Sequence, residues 1–290
     1  MEIKIFENHG FASCMHEAYT YVSSHLLKII ANTWIPALIL SAFTSCMVIL
    51  QLPNKQLIDW ANTNLWTTVA ILGSLAVCIL VANLLFTTSS IVMINKHSYW
   101  KQFHRVCIYF LLALVIYIIF AALFIFIDKE ITLHLIKDTK LYIIFTAILI
   151  ILGIALFCFF MPPFTYIFYK YNDRRDSHPK NFFNDFKIGL HHWGINIAVI
   201  FLGELIIAIA MTIITIPADI LVFAQISSQL GALDGDPLGV PEYFTPLLFI
   251  TLTAVIFIYC YFQFWLITAL YCAYGSIEAQ EKEKSTHKIQ

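Results

Sequence analysis

An all-α membrane bundle is the fold class this sequence predicts: six transmembrane helices with three interfacial amphipathic helices, in an approximate threefold helix-span-span repeat. Three observations predict it. The first is composition: the 290-residue chain is 60% hydrophobic and 12% charged, with a mean hydropathy of +0.80. Soluble domains carry about 25% charged residues, so this chain cannot cover a globular surface in water and its solvent must be lipid. The second is run length. Six apolar runs, near 33–52, 66–92, 107–127, 141–168, 195–217 and 246–272, reach the ~20 residues that cross a bilayer at about 1.5 Å each. The third is charge placement. Segments 1–32, 93–106, 169–194 and 273–290 carry 2, 3, 5 and 3 Lys+Arg, whereas 53–65, 128–140 and 218–245 carry 1, 3 and none. That alternation follows the positive-inside bias and puts both termini in the cytoplasm.

Along the chain, residues 1–20 include Glu2, Glu7, His9, His16 and Glu17. A basic start with an apolar core is missing there, so no signal peptide is expected and the first span serves for insertion. The first amphipathic stretch, 11–31, sets Phe11, Met15, Tyr19, Val22, Leu26 and Ile30 against Ser13, Glu17, Ser24 and Lys28. The span 66–92 is softened in its second half by Asn83, Thr87, Thr88, Ser89 and Ser90. A short second amphipathic stretch, 97–106, sets Tyr99, Trp100, Phe103 and Val106 opposite Lys101 and Arg105. The run from Cys107 to Ile127 contains no charge at all.

In the fourth span Pro162 and Pro163 lie about six residues before its cytoplasmic end. They are expected to kink the helix and to free backbone carbonyls. The third amphipathic stretch, 179–193, places Phe182, Phe183, Phe186, Leu190 and Trp193 against Asn184, Asp185, Lys187, His191 and His192, with Pro179 suited to its first turn. Pro217 closes the fifth span, and Ala218 to Leu230 is expected to form one further short helix. Each unit of the repeat is an amphipathic helix, a span, an outer loop and a returning span, and Trp100-Lys-Gln-Phe103 is echoed by Phe183-Asn-Asp-Phe186. Such helices lie in the interface, either binding lipid or anchoring the bundle through their aromatic residues.

Chemistry-bearing residues are few. Glu204 is the one acid deep inside a span, roughly 15 Å from its cytoplasmic end at 1.5 Å per residue. An ionisable group at that depth is costly, and no Lys or Arg lies in any span to pair with it. Asn196, Ala208, Met211 and Thr215 share its stripe, which suggests a helix-facing surface. Asn83, Gln263 and Tyr117 fall within a turn of the same depth. A midplane layer of Glu204, Asn83, Gln263 and Tyr117 would satisfy itself, with a neutral Glu204 as donor and the amides as partners. Interhelical bonding and a proton or substrate site are both open for this layer.

The adjacent His191 and His192 point about 100° apart on a helix, so they read as interfacial, as do His97 and His104. Asp234-Gly-Asp236-Pro reads as a turn near Asp219 and Glu242. The seven cysteines lie in or beside spans with no Cys-x-x-Cys pair, so neither a disulfide framework nor a metal site is expected. No cofactor is implied, and a net charge of −1 argues against nucleic acid as a partner. Motifs of the His-Glu-x-x-His, Gly-x-Ser-x-Gly, P-loop and Gly-x-Gly-x-x-Gly types are missing from the sequence.

The segment FFNDFKIGLHHW (Phe182–Trp193) ahead of a span, with Pro162-Pro163 before it, resembles a loose bacterial family. It is the polytopic membrane domain associated with glycerophosphodiester phosphodiesterases, with its stand-alone relatives. The resemblance covers about the last two thirds of the chain and lacks the fused phosphodiesterase domain. It implies a multi-pass protein of the bacterial inner membrane. The reading is a non-enzymatic protein of structural, lipid-interacting or accessory type, with membrane lipids as partners. A small-molecule or ion transporter built around Glu204 is the alternative. Protein partners and oligomeric state are not legible in the sequence.

Overall fold

In hydrocarbon a spanning backbone must close its hydrogen bonds within itself, so apolar runs of this length fold as helices. The structure, a computed structural model, describes residues 10–52, 64–134, 139–173, 182–233, 241 and 243–287. Among them are eight α-helices and no strand: α1 (Phe11–Gln51), α2 (Leu65–Asn95), α3 (Tyr99–His134), α4 (Thr139–Asp173), α5 (Phe182–His191), α6 (Trp193–Ile214), α7 (Ile216–Leu233) and α8 (Phe244–His287). Six of these, all but α5 and α7, contain stretches long and apolar enough to cross a membrane. The protein is a multi-pass all-α membrane protein. Pro179, the turn at Asp234-Gly-Asp236 and Glu242 lie outside the described residues.

Helix boundaries follow the breakers. No Gly or Pro occurs between Tyr99 and His134, so the second amphipathic stretch runs into its span as one helix, α3. The first stretch likewise joins its span in α1, and the break falls at His25 (φ −117°, ψ 15°) rather than near residue 32. There the His25 ring Nδ1 lies 2.9 Å from Ser24 Oγ and 3.1 Å from the Tyr21 carbonyl oxygen. Only the third stretch stands as a helix of its own, α5. The soft half of the second span is helical as well, and the hydroxyls of Ser89 and Ser90 are satisfied within it by donating to the carbonyls of Leu85 and Phe86, each at 2.8 Å. Lys96 ends α2 in a left-handed conformation (φ 56°), its N–H bonded to the Val92 carbonyl.

The chain divides into two compact units. Met15–Lys96 and Phe201–Ala269 belong to the first, and His97–Ile200 and the segment from Leu270 onward to the second. In the first unit Ala218, Leu248, Leu252 and Val255 form a core packed by Val48, Leu52, Leu221 and Val222. Ser45 and Thr253 link α1 to α8 at 3.1 Å. In the second unit the outward faces of α3 and α4 carry Leu111, Ile119, Ile148, Ile151 and Phe157, each more than half exposed. A soluble monomer does not show so long an apolar face to water, and here lipid covers it.

Candidate functional site

The prolines of α4 position the best-defined polar structure in the second unit. Pro162 has no N–H to give the carbonyl four residues back, that of Cys158. The indole Nε1 of Trp193 donates to that carbonyl at 3.3 Å, and Asn196 Nδ2 donates to the Pro162 carbonyl at 3.4 Å. α5 then lies directly on the Pro-Pro turn. A Cβ on Gly189 would fall 2.8 Å from Pro163 Cα, so glycine is what permits the approach.

This contact turns a polar stripe of α5 inward. Asp185, Gly189 and His192 are buried, while Phe183 is 87% exposed. Apolar spacing alone assigned Asp185 and His192 to the outer, headgroup side. The structure reverses that because each has an inward partner, Lys170 for Asp185 and Glu281 for His192. Lys170 Nζ lies 3.0 Å from Asp185 Oδ1, 2.8 Å from Glu278 Oε1 and 2.8 Å from the Tyr166 hydroxyl. Tyr166 in turn donates to Glu278 at 2.6 Å. The side chains of Lys170, Asp185 and Glu278 are 10%, 11% and 19% exposed. Desolvation on that scale is tolerable only when each charge is paired and hydrogen-bonded, and here each is. One turn further along α8, Glu281 accepts from His192 Nε2 at 2.9 Å and from Lys284 at 2.8 Å.

The C-terminal turn of α4 is held from two directions. Arg105 of α3 donates to the carbonyls of Tyr171 and Asn172 at 3.3 and 3.4 Å, and stacks over the Tyr171 ring. Terminal carbonyls lack intrahelical donors, and a cation there also meets the negative end of the helix dipole. Gln102 donates to the buried Asn172 side chain, and His97 Nε2 lies 3.1 Å from the Asp173 carbonyl oxygen. From α8, the Tyr271 hydroxyl bonds Asp173 and that of Tyr274 reaches it at 3.4 Å. The ends of α3, α4, α5 and α8 are thereby tied into one hydrogen-bonded clasp. The ion pairs and hydrogen bonds of the clasp hold these helix ends together.

Of the midplane residues, Glu204 and Gln263 come together in the first unit, with Gln263 Nε2 donating to Glu204 Oε1 at 3.4 Å. Gln263 also donates to the Tyr259 hydroxyl at 2.7 Å. Asn83 is half-buried and accepts from Thr87 of its own helix at 3.4 Å. Tyr117, in the second unit, is 72% exposed. On the stripe of Glu204, Asn196 is buried and Ala208 exposed. Sequence reasoning passed over Lys170, Tyr166, Asp173, Glu278 and Tyr271. The available signal was that Lys170 and Asp173 close an apolar span while Glu278 and Glu281 extend the sixth span past its apolar end. Among the described residues no group of three or more His, Cys, Asp or Glu is placed to hold a metal ion. No family model, curated protein or solved structure matches the chain.

Proposed function

We propose that this is a non-enzymatic, lipid-interacting structural protein of the bacterial inner membrane, with both termini and the clasp on the cytoplasmic side. One observation carries the reading: α5 is locked by its inward stripe and presents an outward one. Asp185, Gly189 and His192 bind the protein, while Phe183, Lys187 and His191, at i, i+4 and i+8, are exposed. An aromatic and cationic stripe on a helix fixed at the end of the spans suits the headgroup layer, with the ring in the acyl boundary and the ammonium at lipid phosphate. The two segments that carry the resemblance to the phosphodiesterase-associated membrane domain, Phe182–Trp193 and Pro162-Pro163, are the two that pack here. That membership is part of the proposal.

The test is thermal unfolding of the purified protein in neutral detergent with added phosphatidylglycerol, cardiolipin or phosphatidylcholine. The anionic lipids should raise the Tm more than phosphatidylcholine does. Phe183→Ser with Lys187→Gln should remove that difference and leave the lipid-free Tm unchanged. Equal stabilisation by all three lipids would reject the reading. The Glu204–Gln263–Tyr259 group favours a second reading, a transporter with a midplane polar site. A membrane-impermeant thiol reagent distinguishes the two. A cysteine at position 208 should resist it in the structural protein and react through a water-filled path in a transporter.

A further inference from the structure

The first unit presents polar groups where a bilayer offers none in return. Glu204 is exposed on α6 among Phe201, Leu205 and Ile209, whose exposures are 66%, 46% and 61%. It receives one long hydrogen bond, 3.4 Å from Gln263, and among the described residues it makes no other. Tyr259, 37% exposed, accepts from Gln263 and has no acceptor for its own hydroxyl proton among the described residues. In hydrocarbon each unmet donor or acceptor costs several kcal/mol, so a face of this kind is covered in the membrane.

We infer that the α6–α8 face of the first unit is the interface of a homodimer, and that its occupant is a second copy of this chain. Depth is the first argument. Two copies inserted the same way round are related by a two-fold axis along the membrane normal, which brings each residue to the level of its own counterpart. A polar layer at mid-span therefore meets a polar layer at the same level, whereas an unrelated helix matches it only if it carries its own polar group at that depth.

Hydrogen-bond complementarity is the second argument. A carboxylic acid, a primary amide and a phenol each hold both donors and acceptors. Glu204 of one copy facing Gln263 of the other closes the set in both directions, as an isologous contact requires. The third argument is steric. Ala208 and Thr212, one and two turns along from Glu204, are exposed on the same stripe and small enough to let two helices approach closely.

Disulfide trapping in native membranes tests this on the full-length protein. Cys158 is exposed, so the background carries Cys158→Ser. Ala208→Cys should give a cross-linked species of twice the monomer mass. Ile250→Cys, 63% exposed and half a turn around α8 from Tyr259, should not. In labelled protein diluted through lipid, Glu204→Leu with Gln263→Leu should weaken dimerisation roughly tenfold, since interhelical bonds of ~0.6 kcal/mol are lost on both sides of the axis. Glu204→Gln should keep the dimer. The inference fails if position 208 cross-links no better than position 250, or if it cross-links into a species of another mass. It fails equally if the double leucine variant folds and dimerises like the wild type. Should that variant not fold, the cysteine pair decides the matter alone.

Discussion

Lys170 is the residue on which the clasp turns. Its ammonium pairs with both Asp185 and Glu278 and bonds Tyr166 within one small, largely buried space. Removing one partner of a buried ion cluster strands the others, at about 3 kcal/mol. Lys170→Met is therefore expected to lower unfolding stability by roughly that amount in a denaturant titration in micelles. Adding Asp185→Leu and Glu278→Leu to it should restore most of the loss, because apolar replacement of a whole ion cluster is commonly neutral. A triple variant as unstable as the single one would mean that the charges also fix the docking geometry of α5. Glu204 behaves differently at the same scale. Glu204→Gln keeps a donor and an acceptor and should be silent in a monomer stability assay, while Glu204→Ala should cost about 0.6 kcal/mol. Glu204 was legible in the sequence because a lone acid inside an apolar run is conspicuous. The clasp was not, since Tyr166 and Glu278 stand 112 residues apart and each looks unremarkable beside its neighbours.

At the element scale, the spans were readable because lipid makes length and hydropathy sufficient conditions for a helix. The joints between elements were not. Amphipathic spacing suggested three separate surface helices, but without a Gly or Pro nothing ends α3 before His134, and α1 runs on into its span past a kink at His25. The face that α5 buries was misread for a related reason. Periodicity reports which side is apolar, and it cannot report that Lys170 awaits Asp185. Two substitutions test the joint between α4 and α5. Gly189→Ala puts a methyl group 2.8 Å from the Pro163 backbone, so α5 must shift, at an expected 1–3 kcal/mol, about the usual cost of overpacking. Gly194→Ala meets nothing within 4 Å and should change stability by less than about 0.5 kcal/mol. The Trp193 indole offers a cycle of its own. Trp193→Phe strands the Cys158 carbonyl, and Pro162→Ala supplies the missing N–H to the same oxygen. The second change should cancel most of the first in thermal unfolding. Additive losses would mean that the indole acts through packing alone.

At the scale of the whole molecule, α7 decides the topology. It is an apolar helix of 18 residues, about 27 Å long at 1.5 Å per residue, just short of the ~30 Å hydrocarbon core. If it crossed the bilayer, seven spans would place the two termini on opposite sides. Its packing argues otherwise. Ala218, Leu221 and Val222, from its first turns, meet Val48, Ile49 and Leu52 at the end of α1, and Leu248 at the start of α8. Asp219, Gln225, Ser227, Ser228 and Gln229 would moreover have to enter lipid. The end of α1, the start of α7 and the start of α8 are therefore neighbours, and α8 can begin there only if α7 does not carry the chain across. The charge bias points the same way, since 218–245 holds no Lys or Arg. A phosphatase reporter fused after Leu233 should accordingly be active, as should one at Asn54, which lies outside the described residues, or at Ile131. A fluorescent reporter fused after Lys284 should fold in the cytoplasm. An inactive phosphatase at Leu233 beside an active one at Ile131 would make α7 a seventh span and would move the C-terminal extension of α8, with Glu278 and Glu281, to the outer side.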